Sequence, residues 1–172
     1  MAFLDLAKGR CSVRKYTDQP IEEEKLLTVL EAGRVAPTGC NNQPQRIIVV
    51  RSPEGRAKLA KAARTFDAPV VLIICADKSQ TWTREFDGKV ISDIDASIVT
   101  DHMMLQAAEL GLGSCWICWF KPDVVREEFG IPDGWEPVNL LALGYSAAPM
   151  GDPDRHVRLR KPLDQTVFWE TV

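Results

Sequence analysis

The sequence predicts one domain in which strands and helices share a core, and three stretches carry that prediction. Arg46 to Arg51 (RIIVVR) is a strongly β-branched run, and Pro69 to Ala76 (PVVLIICA) is the most apolar run of the chain. The second is too short for a typical helix and rich in β-branched residues, so it reads as a central strand buried on both faces. From about Ser92 to Leu110, apolar residues instead recur at helical spacing on two faces. That pattern marks a long helix buried on most sides, in the core or at a subunit contact. A chain of 172 residues buries about 70% of its unfolded surface as one domain. Its composition, 45% hydrophobic and 26% charged, is that of ordinary globular proteins. Neither repeat nor linker divides residues 1–172.

The remaining elements follow in order. Ala2 to Ala7 is an apolar lead-in of one or two helical turns. Asp18-Gln19-Pro20 signals a helix start with a capping carboxylate, and Leu26, Leu27, Leu30 and Gly33/Arg34 follow on one face. That helix ends before Pro37. Ala36 to Pro44 is a loop bracketed by prolines, and Ser52-Pro53-Glu54 caps a helix whose Leu59, Ala62 and Ala63 face inward. Lys78 to Lys89 is a mobile loop or short helix, either a surface connection or a lid over a pocket. Cys115 to Phe120 reads as an aromatic strand, Pro122 opens a short amphipathic helix through Val124, Val125 and Phe129, and Val138 to Tyr145 is the last strand. Residues 148–172 form an extension without periodicity, yet Val167, Phe168 and Trp169 call for burial, for which a partner subunit is the natural surface.

Charge and cysteine usage exclude several classes. A net charge of −3 with a pI near 5.5 leaves no electrostatic footprint for nucleic acid. No apolar run approaches the length of a membrane span, and no signal-peptide pattern opens the chain. Five cysteines, an odd number without framework spacing, point to the reducing cytoplasm. Cys115 and Cys118 lie three apart in a strand pattern, on opposite faces, so they read as buried structural thiols and neither a redox pair nor a zinc half-site. His102, inside the long helix, reads as a core or interface histidine. Gly111-x-Gly113 follows a helix and precedes a strand, the reverse of a dinucleotide-binding turn.

Two stretches carry candidate chemistry. In an extended Arg10-Cys11-Ser12-Val13-Arg14 segment, Arg10, Ser12 and Arg14 share one side. Two guanidiniums and a hydroxyl suit a phosphate; a solvated basic arm is the other reading. Thr38-Gly39-Cys40-Asn41-Asn42-Gln43 offers amide donors and acceptors for a planar heterocycle, or is simply a polar loop.

Four blocks in order resemble the nitroreductase family of FMN-dependent oxidoreductases: Arg10 to Tyr16 with Pro20; Ala36 to Pro44; Leu110 to Ile117; and Ala142 to Tyr145 with Arg160-Lys161-Pro162-Leu163 downstream. The resemblance implies an α+β fold, a mostly antiparallel central sheet flanked by helices, assembled as an intertwined homodimer with FMN at the interface. By resemblance, Arg10, Cys11, Ser12 and Arg14 border the FMN phosphate, joined by Arg160 or Lys161. Pro37, Thr38, Gly39, Asn41 and Gln43 meet the flavin from the partner subunit. Backbone of Cys115, Trp116, Ile117 and Cys118, on to Trp119, lies over the isoalloxazine, with an N–H near N5. Gln45, where an aromatic residue is common, and Cys118-Trp119, where a glycine is common, depart from the family pattern and bear on the substrate.

The resemblance implies an enzyme that moves hydride from NADH or NADPH through the flavin to a nitroaromatic, quinone or similar acceptor in two half-reactions at one site, with no side chain needed as acid or base. Alternatives with the same fold are a flavin-binding sensing or storage protein, and a flavin enzyme specialised in reductive dehalogenation or flavin fragmentation.

Overall fold

Four strands, β1 (Gln45–Val50), β2 (Val70–Asp77), β3 (Gly113–Ile117) and β4 (Trp135–Gly144), form one wholly antiparallel sheet in the order β1-β2-β4-β3. The structure is a computed structural model and describes residues 2–171. Among the described residues, six α-helices surround the sheet: α1 (Phe3–Gly9), α2 (Glu23–Arg34), α3 (Pro53–Ala60), α4 (Ser92–Glu109), α5 (Pro122–Phe129) and α6 (Arg155–Leu159). The implied α+β architecture is therefore observed.

Strand alternation divides the core in two. Val70, Leu72 and Ile74 of β2 and Leu141 and Leu143 of β4 pack beneath α2 and α4, on Val29, Ala96, Val99, Met103 and Ala107. Val71, Ile73 and Cys75 face the opposite side with Cys115, Ile117, Leu140 and Ala142, covered by Leu59 of α3 and Val125 of α5. Each large apolar side chain so buried stabilises the fold by about 1.5–3 kcal/mol. This two-sided burial explains why β2 reads as an uninterrupted apolar run. Gly33 lets α2 and α4 approach: a Cβ there would lie 2.9 Å from Met103 Cγ and Sδ.

The local signals fare unevenly. Ser52 Oγ accepts from the Gly55 N–H at 3.0 Å, and Pro53 occupies the first turn of α3, as expected. Asp18, by contrast, caps nothing. The helix begins at Glu23 after Glu22, with no side-chain cap, because Thr17 is still bonded to the Tyr145 carbonyl. Its buried residues are Leu26, Val29 and Gly33, while Leu27 and Arg34 are exposed. β3 stops at Ile117, short of Phe120, and Cys118 is exposed, so only Cys115 of that pair is buried. β4 starts at Trp135 and accommodates Pro137 where the β2 register shifts between Ile74 and Cys75, a position at which the missing N–H is tolerated. Residues 78–89 form an irregular loop with an isolated Thr83–Val90 bridge, and Phe86 is 98% exposed. α4 buries one face against the sheet, but Ile94 is exposed and Ile98 and Leu105 are half-buried. The C-terminal Phe168 and Trp169 are exposed in the single chain. Among the described residues, no helix is long and apolar enough to cross a membrane.

Candidate functional site

The N-terminal segment beyond α1 is extended and stitched to β3 and to the chain just past β4. Val13 N–H donates to the Ser114 carbonyl at 2.8 Å, Thr17 N–H to Tyr145 O at 2.9 Å, and Ala147 N–H to Lys15 O at 2.9 Å. Tyr16 adds a hydroxyl donation to Val13 O at 2.9 Å, and burial pushes its phenol well above the ordinary range. Val13 is buried and lies so close to β3 that any Cβ at position 113 would be 2.7 Å from its Cγ2, which only Gly113 avoids. Burying Val13 turns the neighbouring Ser12 and Arg14 outward, and both are exposed.

The chain's other end closes on this segment. Arg155 of α6 donates to the Arg10 carbonyl at 2.6 Å and to the Lys8 carbonyl at 3.0 Å, and Gly151 N–H donates to Cys11 Sγ at 3.4 Å. A cavity of about 290 Å³ results, walled by Arg10, Cys11, Ser12, Arg155, His156 and Arg160. No carboxylate lines it. Beneath it, Ser114, bridged to Ser12, has a buried hydroxyl with no hydrogen-bond partner. Three guanidiniums, an exposed hydroxyl and an orphaned one form a donor set that fits a phosphate monoester.

Arg14 lies elsewhere. It lines a second cavity of about 780 Å³ together with Phe66 and residues 115–121. The first cavity lies at the start of β3, through the Ser12–Ser114 bridge, and the second beside its end, where residues 115–121 line it. Burial pushes the Cys115 thiol up, and the charges of Arg14 and Arg10 oppose that. The structure thus brings Arg10, Cys11, Ser12 and Arg160 to one cavity and Arg14, Cys115, Trp116, Ile117 and Cys118 to the other. Lys161 is exposed and lines neither.

Pro37, Thr38, Gly39, Asn41 and Gln43 line neither cavity. Their loop is nonetheless tightly built. Cys40, Asn41 and Gln43 adopt positive φ of 49°, 57° and 52°, strained for residues with a Cβ and typical of ligand-binding segments. Gln43 N–H donates to Thr38 Oγ1 at 3.0 Å. Gly39 N–H donates to Oδ1 of Asp95, a side chain only 1% exposed in the first turn of α4. No cation pairs with Asp95 among the described residues; the Gly39 amide serves its Oδ1, and its buried Oδ2 has no hydrogen-bond partner. A Cβ on Gly39 would sit 2.6 Å from Ile91 Cδ1.

Four contributors were not singled out from sequence: Arg155, His156, Asp95 and Phe66. The density of basic residues in Arg155-His156-Val157-Arg158-Leu159-Arg160 marks the first two. Asp95 leaves only a weak trace, as an acid on a helix whose other buried residues, Thr100 apart, are apolar. Phe66 has no sequence signal, because its φ of 59° belongs to a turn without glycine.

The model of the nitroreductase family matches residues 7–66 and 60–145. Over its whole length the chain is similar to a nitroreductase family protein of Clostridium difficile 630, with 54% identity, 100% of each chain covered and a TM-score of 0.98. It is also similar to an FMN-dependent nitroreductase from Clostridium difficile R20291, at 28% identity and a TM-score of 0.80 over 98% of this chain and 99% of that one. An NADH dehydrogenase of Thermus thermophilus is 31% identical over 196 residues, spanning 95% of this chain and 93% of the relative. Four blocks in order, a matching fold and full-length identity converge: the chain belongs to the nitroreductase family.

Proposed function

We propose that this protein is an FMN-dependent NAD(P)H oxidoreductase that works as a homodimer. The observation that carries the reading is the carboxylate-free cavity of Arg10, Ser12, Arg155 and Arg160, set beside the start of β3. Its donors suit the FMN phosphate, while Arg14 and the backbone at the end of β3, where pairing with β4 stops at Ile117, suit the ring. Names of relatives, an FMN-dependent nitroreductase and an NADH dehydrogenase, agree with this choice.

When bound, FMN supplies the two-electron chemistry between a nicotinamide and an acceptor. The chain's residues bind and orient. Arg10, Arg155 and Arg160 neutralise the phosphate, Ser12 donates to it, and backbone N–H groups past Ile117 donate to the ring edge. The strained loop of Pro37 to Gln43, held by Asp95, reaches the ring of a second copy's site. The apolar residues left exposed on one chain, among them Phe3, Leu4, Val35, Phe168 and Trp169, are covered in that dimer, with residues 148–171 packing on the partner. Donor and acceptor take turns at one site, so the kinetics are ping-pong, with a nitroaromatic or quinone as acceptor.

The test is an absorbance spectrum of the purified protein followed by anaerobic NADH and then NADPH. Flavin bands that bleach support the reading and name the donor. A colourless protein that fails to bind added FMN refutes it.

A further inference from the structure

The cavity of about 780 Å³ beside the end of β3 carries, besides the Arg14 and backbone that the flavin reading uses, further cations that it does not require. Arg14, Lys61, Arg64 and Lys121 line it, and no carboxylate does, although the whole chain carries a net charge of −3. Lys61 is bonded to Glu128. Arg64 and Lys121 form no ion pair among the described residues, and neither does Arg14. Asp67 and Lys15 line the adjoining basin that shares Arg14, Arg64 and Phe66, so a single acid faces five cations across the two.

Two guanidiniums converge here. Arg64 stands 5.2 Å and Arg14 5.9 Å from the centroid of the same Phe66 ring. Both guanidiniums thus lie within 6 Å of one ring, and among the described residues neither has a carboxylate partner. The ring that gathers them is fixed by an unusual turn, since Phe66 and Asp67 both adopt positive φ, 59° and 57°. Strain of that kind is retained where a site demands it. Flat apolar surface completes the wall: Trp119, 94% exposed, and Phe120 line the same cavity. The volume lies in the range of small-molecule sites.

We propose that this basin selects planar electron acceptors carrying a carboxylate, with Arg64 and Lys121 as the specificity-determining cations and Phe66 and Trp119 as the stacking surfaces. The inference rests on the oxidoreductase reading for its reaction and on the cavity alone for its ligand class. For a nitroaromatic acid, reduction of the nitro group to nitroso takes up two electrons and two protons and releases water. NAD(P)H supplies the hydride and solvent the second proton.

Two arms test it, with 4-nitrobenzoate and its uncharged analogue 4-nitrobenzamide as probes. Calorimetric titration of the purified protein is expected to show the acid binding about tenfold tighter or more, the range of one or two charge-assisted contacts. In Arg64→Ala/Lys121→Ala the two affinities converge, and Arg64→Lys restores part of the preference. In steady-state assays the ratio of kcat/KM for acid over amide falls by a similar factor, with FMN content and thermal midpoint as checks on folding. Equal affinities in the wild type overturn the proposal, as does a preference that survives both substitutions. A rise in KM for NAD(P)H with no change for the acid also overturns it, because the cations then serve the dinucleotide phosphates. A protein without FMN refutes the oxidoreductase reading while leaving the calorimetric arm to decide this one.

Discussion

Gly113→Ala tests whether the N-terminal segment positions the groups proposed to bind the FMN phosphate. A Cβ at position 113 would lie 2.7 Å from Val13 Cγ2 and 3.0 Å from Val13 Cβ and Cγ1. Ordinary contact begins near 3.4 Å, so the segment must retreat by roughly 0.7 Å, because the β-branched Val13 has few other rotamers. The Val13 N–H to Ser114 O bond would stretch from 2.8 Å to roughly 3.5 Å, beyond useful geometry. Overpacking of this kind costs about 1–3 kcal/mol, or about 2–12 °C in Tm for a chain of this size. Arg10, Ser12 and Arg14 ride on the displaced segment. Loss of one charge-assisted contact, at about 1.5–3 kcal/mol, weakens FMN binding roughly 10- to 100-fold. The assay is quenching of free FMN fluorescence as protein is added, with a thermal melt in parallel. Val13→Ala removes two methyl groups, costing about 1.6 kcal/mol plus a cavity term by itself. In the double variant it makes room for the new Cβ, so the two substitutions couple favourably. A Gly113→Ala protein that binds FMN within about twofold of wild type would refute the reasoning.

Other predictions read different parts of the molecule. Asp95→Ala leaves the Gly39 N–H without its acceptor, at a cost of about 1–3 kcal/mol; amide exchange of residues 36–44 should accelerate selectively, and unchanged protection would remove Asp95 as the anchor of that loop. Arg155→Ala cuts the donations to Lys8 O and Arg10 O, so trypsin should cleave residues 155–161 faster and FMN affinity should drop; a cleavage rate equal to wild type would contradict that tether. Cys75, its thiol pushed up to about 11 by burial, and Cys115, raised for the same reason, should resist iodoacetamide at pH 8, whereas exposed Cys40 and Cys118 react. Mass spectrometry of the native protein checks the pattern. The folded pKa of Cys75 is raised above the ordinary 9.0, so its contribution is fully present below pH 9 and is lost as pH rises towards 11. Tyr16, raised from 10.0, acts in the same direction above pH 10. The urea midpoint should therefore be lower at pH 10 than at pH 7, and equal midpoints would show that these groups titrate freely.

Elements whose signal is local were legible in the sequence. Pro69 to Ala76 announces a strand because both its faces are buried, and Ser52-Pro53 announces a helix because the cap and the fixed φ act within one turn. Asp18 misled because the chain around it is committed to Tyr145, a contact 128 residues from Thr17 by sequence number that no window contains. Cys118 and Trp119 read as strand because they are apolar, yet pairing ends at Ile117. For the site, Arg10, Ser12 and Arg14 were legible as residues that suit an anion, and Arg160 or Lys161 came only with the resemblance. Arg14 lines the other cavity, and the closing of Arg160 on Arg10 and Ser12 depends on Arg155, whose partners are backbone carbonyls and leave no trace in side-chain pattern. The turn at Phe66 was illegible, since left-handed backbone without glycine is imposed by packing.

The cavity of Arg10, Ser12, Arg155 and Arg160 draws on both extremes of the chain, residues 150 positions apart. Synthesis runs from the N-terminus, so the sheet and α4 can assemble while half of this cavity has yet to be made. If this cavity holds the phosphate as proposed, a nascent chain cannot retain it until α6 has emerged and Arg155 has found the carbonyls of Lys8 and Arg10, and loading belongs to the last stage of folding.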